Sequence, residues 1–433
     1  MKNKIIQKLL KLMAKSVLRK RKPTVVAITG SVGKTTAKEA ISKVLSSNFK
    51  TRSSAKNYNN EIGVTLTILG CQIDYNRGKI LQIFGIFYYW FQALFFDKNY
   101  PEILILEMGA DKPGDIKYFC DFIPITVGVL TDIGISHLEN FKTKQILATE
   151  KGYLLRNVID KGMAIYNWDN KTVREIGQKL SVNTIGYGLE EEAEMKATDI
   201  IFKVEANHKV QKIDGINFKL NYQDKVLPVR LEKSISKGSI YGVLAAFAVG
   251  KYFDLNLVEM AESVNCINFY QSRMALLKGL NESFIIDDSY NSAPDSVKMA
   301  IESLDKVEAK RKLIVLGDML ELGIQEEKAH RKIGKLINSK KFDLLVTVGD
   351  RMKWTQEESK KLNSGKTVHF DNPIKAGFFV KKELKKGDIV LVKGSQGMRM
   401  EKIVEEIMFE PEKRGKLIVR QDESWKNIPY KKP

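Results

Sequence analysis

Residues 27–36, Ala-Ile-Thr-Gly-Ser-Val-Gly-Lys-Thr-Thr, constrain the fold of this chain more than any other stretch. Val25 to Ile28 read as a short buried strand, Gly30 and Gly33 free the backbone for a tight loop, and Lys34-Thr35-Thr36 opens a helix. Such a loop, with Ser31 and Val32 between its glycines, turns backbone N–H groups and a helix N-terminus toward anionic phosphate oxygens. Lys34 is then placed to neutralise β/γ-phosphates, and the Thr35 hydroxyl to ligate Mg²⁺. The longer motif carries a glycine where Ile28 stands, so this is the shorter G-x-x-G-K-T form. Its position between an apolar strand and a helix is the context that the mechanism requires.

Strand-like apolar runs alternate with helical segments at 24–29, 102–107, 125–131 and 162–167, then at 283–287, 312–317, 343–348 and 387–392. This alternation predicts parallel sheets covered by helices, the α/β class. Residues 192–231 alternate on a shorter period and predict a small antiparallel element. At 433 residues the chain is too long for one ordinary core. The expected division is 1–23 as a basic amphipathic helix, 24–270 as the phosphate-loop domain, 271–412 as a second α/β domain and 413–433 as a basic tail. Cys71, Cys120 and Cys266 are odd in number and far apart, which argues against a disulfide framework or a zinc site and fits a reducing, cytoplasmic setting. The formal charge of +19 points to an anionic partner. The lysines are dispersed and no nucleic-acid module is visible, so no nucleic-acid partner is expected.

Two segments stand apart. The first 22 residues carry nine basic side chains and no acidic one, with Ile5, Ile6, Leu9, Leu10, Met13, Val17 and Leu18 at helical spacing. They lack the continuous apolar run and cleavage site of a secretory signal. Ile80 to Phe96 is free of charge and rich in aromatics, yet barely approaches the thickness of a bilayer core. A single span there would separate the phosphate loop from the acidic strand that must meet it. Two readings follow: the segments pack on each other, or they create a membrane-facing surface peripheral to the inner face of the plasma membrane.

Leu104 to Ala110 is an apolar strand that ends in Glu107 and a glycine, which places a carboxylate at the ligand-binding end of a parallel strand as a candidate Mg²⁺ ligand. His137 follows another apolar strand and is placed to reach the same crevice. With the phosphate loop, these residues resemble the Mur ligases, the ATP-dependent amide-forming enzymes of peptidoglycan precursor assembly. Lys56-Asn57-Tyr58-Asn59-Asn60-Glu61-Ile62-Gly63 resembles a segment lining the acceptor side in the type that adds D-Ala-D-Ala. Asp287-Asp288-Ser289-Tyr290-Asn291-Ser292-Ala293-Pro294-Asp295-Ser296 is similar to the segment that closes over adenine and ribose. Leu316 to Gly323 with His330, and Val392-Lys393-Gly394-Ser395 through Met400-Glu401-Lys402, match the remaining C-terminal signatures, and Arg273 sits at the hinge arginine. The resemblance runs from about residue 24 to 410.

The resemblance implies a central P-loop ATPase domain with a parallel sheet, followed by a smaller Rossmann-like C-terminal domain. It implies ATP and two Mg²⁺ ions as cofactors, with Thr35, Glu107, His137 and Lys151 as metal ligands and Lys151 carbamoylated to N6-carboxylysine. Gly30 to Thr36, Arg273, Asp288, Tyr290 and Asn291 would bind nucleotide. Asn59, Asn60, Lys393 and Ser395 would face the substrates, a muramyl-peptide acceptor and D-Ala-D-Ala, in a monomeric enzyme. Two departures bear on this. About 23 residues precede the first strand, too few for the N-terminal domain that grips the UDP end in this type, which leaves UDP recognition open. Gly238-Ser239 and Gly242 stand where the family usually has His-Asn and a further Asn, so adenine contacts must be partly rebuilt. The alternatives are a ligase of the same chemistry on another acceptor (lipid-linked precursor, other wall peptide or polyglutamate-like chain) and a P-loop ATPase that forms no amide.

Overall fold

The strand before the phosphate loop lies inside the first of two sheets, with parallel neighbours on both sides. A computed structural model describes residues 2–54, 58–71, 79–134, 138–207, 210–232, 234–265, 267, 271–360, 365–422, 425 and 428. The first sheet contains β1 (Thr24–Thr29), β2 (Thr51–Ser53), β3 (Ile103–Glu107), β4 (Ile125–Leu130), β5 (Val158–Asn167), β6 (Asn183–Gly188), β7 (Met195–Asn207), β8 (Val210–Tyr222) and β9 (Lys225–Leu231). Their spatial order is β2-β3-β1-β4-β5-β6-β7-β8-β9. The chain leaves β1 toward β3 and returns to its other side at β4, so the order reverses at the end of β1, where open α/β sheets bind ligands. Register aligns the strand ends: Ile28 pairs with Glu107, and Thr29 with Leu130. The apolar runs of β1, β3 and β4 are long because both faces of these strands are buried.

The alternating stretch after residue 192 forms the antiparallel β7, β8 and β9. It extends the main sheet, since β7 pairs with β6, and does not stand apart as a separate element. The phosphate-loop helix α2 (Lys34–Leu45) packs on the Ala-rich helix Lys237–Tyr252. A Cβ on Gly242 would lie 2.9 Å from Thr36 Cγ2 and 3.1 Å from its carbonyl carbon, so glycine permits the close approach of these helices.

Helix α1 (Lys2–Arg21) buries Leu10, Met13, Ala14, Val17 and Leu18 and packs on α3 (Glu61–Leu69). The aromatic segment forms α4 (Lys79–Phe91) and a π-helical turn over Gln92–Phe96. Trp90 Nε1 donates to Ser16 Oγ at 2.9 Å, so the two unusual segments do pack on each other. Among the described residues, no helix is long and apolar enough to cross a membrane.

The second sheet contains β10 (Ala275–Lys278), β11 (Phe284–Asp288), β12 (Arg311–Gly317), β13 (Leu344–Val348), β14 (Lys366–Phe370) and β15 (Asp388–Lys393), in the order β10-β11-β15-β12-β13-β14. Its apolar residues form clusters of their own, apart from those of the first sheet. The segment read from the sequence as a basic tail is packed at 418–420, where Ile418, Val419 and Arg420 are buried.

Gly242→Ala is expected to force α2 away from its partner helix, at a cost of about 1–3 kcal/mol. A lowered urea midpoint for the first domain checks this, and an unchanged midpoint contradicts the packing account.

Candidate active site

The phosphate loop takes its shape from two glycines and one threonine. Gly30 has φ +151°, and a Cβ there would overlap Thr131 Oγ1. Gly33 is left-handed (φ +86°) and caps α2. Thr131, just past β4, donates through Oγ1 to the Val32 carbonyl at 2.6 Å, and Ser31 N donates to the Asp132 carbonyl at 2.8 Å. The loop is thus tied to the neighbouring strand end, leaving the first turn of α2 facing the cleft.

Three lysines gather around it, Lys38 and Lys151 buried and Lys34 half-buried. Lys34 Nζ donates to the Gly30 carbonyl at 2.7 Å, and Lys151 Nζ reaches the same oxygen at 3.1 Å from the helix Lys144–Arg156. Lys38 Nζ donates to the Ser54 carbonyl at 2.9 Å and lies 3.6 Å from Glu107 Oε2. Burial lowers the Lys34 amine from its usual value; Glu107 opposes that shift and Arg273 adds to it. Burial, with Lys34 next, lowers the Lys151 amine to about 7.

Glu107 stands at the end of β3, as its place in the apolar strand implied. Its Oε1 accepts from Thr35 Oγ1 at 3.2 Å and from Asn59 Nδ2 at 3.3 Å. Its Oε2 is buried without a hydrogen-bond partner. A carboxylate oxygen with no hydrogen bond and Lys38 at 3.6 Å, beside a threonine hydroxyl at a phosphate loop, suits a hard cation that takes oxygen ligands. Among the described residues, no three His, Cys, Asp or Glu side chains cluster as a metal cage. Mg²⁺ is commonly held by one or two carboxylates plus substrate phosphates and water. His137 lies outside the described residues. Asn60 uses its side chain to cap α3, accepting from Gly63 N at 2.8 Å, whereas Asn59 lines the cleft.

The second domain supplies the opposite wall of a cleft of about 520 Å³. Lys393, ending β15, donates to Asp288 Oδ2 at 2.6 Å and to the Asn291 carbonyl at 2.8 Å, fixing the loop after β11. Burial raises the Asp288 carboxyl against the pull of Lys393 and Arg273. The Arg273 guanidinium lies 4.1 Å from the centre of the Tyr290 ring. Ser395 sits behind this wall, accepting from Leu320 N at 2.9 Å and donating to the Ser292 carbonyl at 3.3 Å. His330 is structural: its Nε2 accepts from Met319 N at 3.1 Å, and burial lowers it to about 4, so it stays neutral.

One polar group and Asp132 escaped the sequence reading. Asn167, Asp169, Asn170, Tyr187 and Tyr241 line the far end of the cleft, with Tyr241 Oη donating to Asp169 Oδ2 at 2.6 Å. The polar run Asn167-Trp168-Asp169-Asn170 at the end of a parallel strand was the available signal. Asp132 and Asp295 face each other across the domains, and burial followed by Asp295 raises the Asp132 carboxyl to about 6.

Comparison with known proteins agrees with this geometry. The Mur ligase middle domain matches residues 28–75 and 91–249, and the Mur ligase glutamate ligase domain matches 272–396. The chain belongs to the Mur ligase family. A UDP-N-acetylmuramoyl-tripeptide–D-alanyl-D-alanine ligase from Bacillus subtilis is 28% identical over 402 residues, 92% of this chain and 79% of that protein. The MurF ligase of Thermotoga maritima, solved in complex with ADP, superposes with a TM-score of 0.77 at 25% identity, covering 94% of this chain and 84% of that one. A MurF from Acinetobacter baumannii shares the fold, with a TM-score of 0.76 at 22% identity over 92% of this chain and 79% of that one.

In this Mur ligase the supposed tail supports the second domain's wall of the cleft. Arg420 donates to the Ser289 carbonyl at 3.1 Å and to the Tyr290 carbonyl, and pairs with the buried Glu401 at 3.0 Å. Its guanidinium lies 5.5 Å from the Tyr290 ring centre. Arg420→Ala leaves part of a buried ionic network unpaired, and is expected to cost about 3 kcal/mol of second-domain stability and to raise KM for ATP. Deleting 414–433 should act in the same direction. Urea unfolding and ATP titration check both, and unchanged values would return the segment to the status of a loose tail.

Proposed function

We propose that this chain is an ATP-dependent carbon–nitrogen ligase of cell-wall precursor synthesis, joining the carboxylate of a UDP-muramyl tripeptide to the amine of D-Ala-D-Ala. The observation that carries the reading is the convergence of a phosphate loop, with Lys34 and Lys151 on its Gly30 carbonyl, and the Asp288–Tyr290–Lys393 wall on one cleft. A simple ATPase needs no second wall of this kind. The substrates are those of the D-alanyl-D-alanine-adding relatives.

A carboxylate does not condense with an amine in water until its oxygen becomes a good leaving group. The acceptor oxygen takes the γ-phosphoryl group of ATP, ADP departs, and an acyl phosphate results. The amine of the dipeptide attacks the carbonyl carbon, the C–N bond forms, the bond from carbon to the bridging phosphate oxygen breaks, and phosphate leaves with the electron pair. The amine gives up its proton. Phosphoryl transfer spreads negative charge over the moving oxygens, so the protein contributes mainly fixed positive charge. Lys34 and the first turn of α2 meet the β/γ-phosphates. Arg273, Tyr290, Asp288 and Asn291 hold the nucleotide, while Asn59, Lys393 and Ser395 serve the substrate side directly or by fixing neighbouring loops. Thr35, Glu107, His137 and a carbamoylated Lys151 would hold Mg²⁺, which when bound neutralises phosphate charge. A single chain carries both walls, so the monomer is the proposed unit, with 24–270 and 271–412 hinged near Arg273. Nucleotide-linked precursors place it in the cytoplasm.

The carbamate has a chemical basis in this site. Only a neutral amine attacks CO₂, and an amine with its pKa lowered to about 7 is largely neutral above that pH and an ammonium below it. With isotope-labelled bicarbonate, the carbamate carbonyl signal should grow as pH rises from about 6 to about 8 and be absent in Lys151→Ala. No such signal in the wild-type protein at the upper pH would contradict the modification.

Lys34→Ala is expected to cut ADP release at least about a hundredfold while leaving the unfolding midpoint near that of the parent. ADP release should also require acceptor and D-Ala-D-Ala together. Full turnover in a folded Lys34→Ala protein, or release indifferent to both substrates, would overturn the ligase reading.

A further inference from the structure

More than half of the exposed large apolar side chains among the described residues lie on two neighbouring elements, α1 and α4 with its terminal turn. On α1, Leu9 and Leu12 are exposed and share a face with Ser16, at helical spacing. Ser16 is the acceptor for Trp90 of α4, so the exposed stripe of one helix runs out to the other. On α4 and its π-helical turn, Ile86, Trp90 and Leu94 turn inward to the core, while Phe84 (67% exposed), Tyr88 (60%) and Phe95 (56%) point outward. Packing of α1 against α4 therefore satisfies only one side of each. Residues 76–90, which include most of α4, also fall outside the stretch matched by the Mur ligase middle domain, so the shared fold does not account for them.

We propose that α1 and α4 form a docking face for the surface of an anionic lipid bilayer. Charge selects this occupant. The first 22 residues hold nine cations and no anion, and Lys8, Arg19 and Lys20 are exposed on the same helix as Leu9 and Leu12. A symmetric dimer through this face would set one basic α1 near another, like charge against like charge. A bilayer carrying acidic headgroups meets those cations with opposite charge and takes the apolar side chains into the headgroup boundary. Phenylalanine and leucine beside lysine and arginine are the pattern of helices that lie in that boundary, and tyrosine is at home there too. No described helix can cross a membrane, so the contact is peripheral. The face lies behind the cleft wall that carries Asn59 and Asn60, because α3 begins at that wall and packs on α1. The bilayer would then lie on the acceptor side of the enzyme.

The test uses the full chain and flotation with vesicles of phosphatidylcholine mixed with phosphatidylglycerol, against vesicles of phosphatidylcholine alone, at low salt. The wild-type protein should float with the anionic vesicles only. Each exposed cation is worth about fivefold in partitioning, so Lys8→Glu/Arg19→Glu/Lys20→Glu should lower it at least about a hundredfold. Phe84→Ser/Tyr88→Ser/Phe95→Ser should also abolish flotation, with ATP turnover and circular dichroism unchanged in both variants because these side chains are exposed and remote from the cleft. Failure of the wild-type protein to float, or flotation unaffected by both triple substitutions, would overturn the proposal. So would a dimer, seen by light scattering, that the aromatic variant dissociates while vesicles bind neither protein.

Discussion

Two ammonium groups, from the half-buried Lys34 and the buried Lys151, converge on one backbone carbonyl, that of Gly30. A carbonyl dipole cannot offset two desolvated charges, and leaving them unpaired costs several kcal/mol. The site relieves this in two ways: burial pushes both amines toward the neutral form, and anionic phosphate or a carbamate restores the balance when present. Gly30 opens the loop so that its carbonyl faces the lysines, Thr131 fixes the loop from the next strand, and the reversal of strand order at β1 brings Glu107 to the same spot. The fold around β1 is the framework that keeps these charges together.

The second domain answers with polar groups more than with apolar surface. Its core clusters remain separate from those of the first domain, and the facing walls are lined by Asp132, Asp295, Arg273, Tyr290 and Lys393. Domain contacts of this polar kind permit relative motion. Bound nucleotide would touch Lys34 on one wall and Arg273 and Tyr290 on the other, so closure and phosphate transfer would draw on the same interactions. The Asp132–Asp295 approach works against closure unless a cation or proton intervenes, and it adds to the burial that raises the Asp132 carboxyl.

Much of this was legible in the sequence because it rests on local rules. A strand, two glycines and a lysine specify the phosphate loop, and buried parallel strands announce themselves as continuous apolar runs ending in Glu107 or Asp288. What stayed hidden depends on contacts between distant residues. Gly242 looks like a lost polar ligand, yet its lack of a side chain lets α2 approach. Arg420 reads as one more basic residue near a terminus, but Glu401 and the Tyr290 carbonyl draw it inside. Asn60 has the composition of a substrate residue and the geometry of a helix cap. The short edge strands β2 and β14 carry too little apolar pattern to stand out, since their burial is incomplete.

The central claim is that the buried cations serve transfer of a phosphoryl group to the acceptor carboxylate. It is tested most directly by placing a heavy-oxygen label in that carboxylate and following it through one turnover in ordinary water. Activation as an acyl phosphate predicts that one labelled oxygen appears in the released inorganic phosphate and the other stays in the new amide. Release of unlabelled phosphate, with the label retained in an unreacted acceptor, would mean that ATP is hydrolysed by water at this site and would contradict the account.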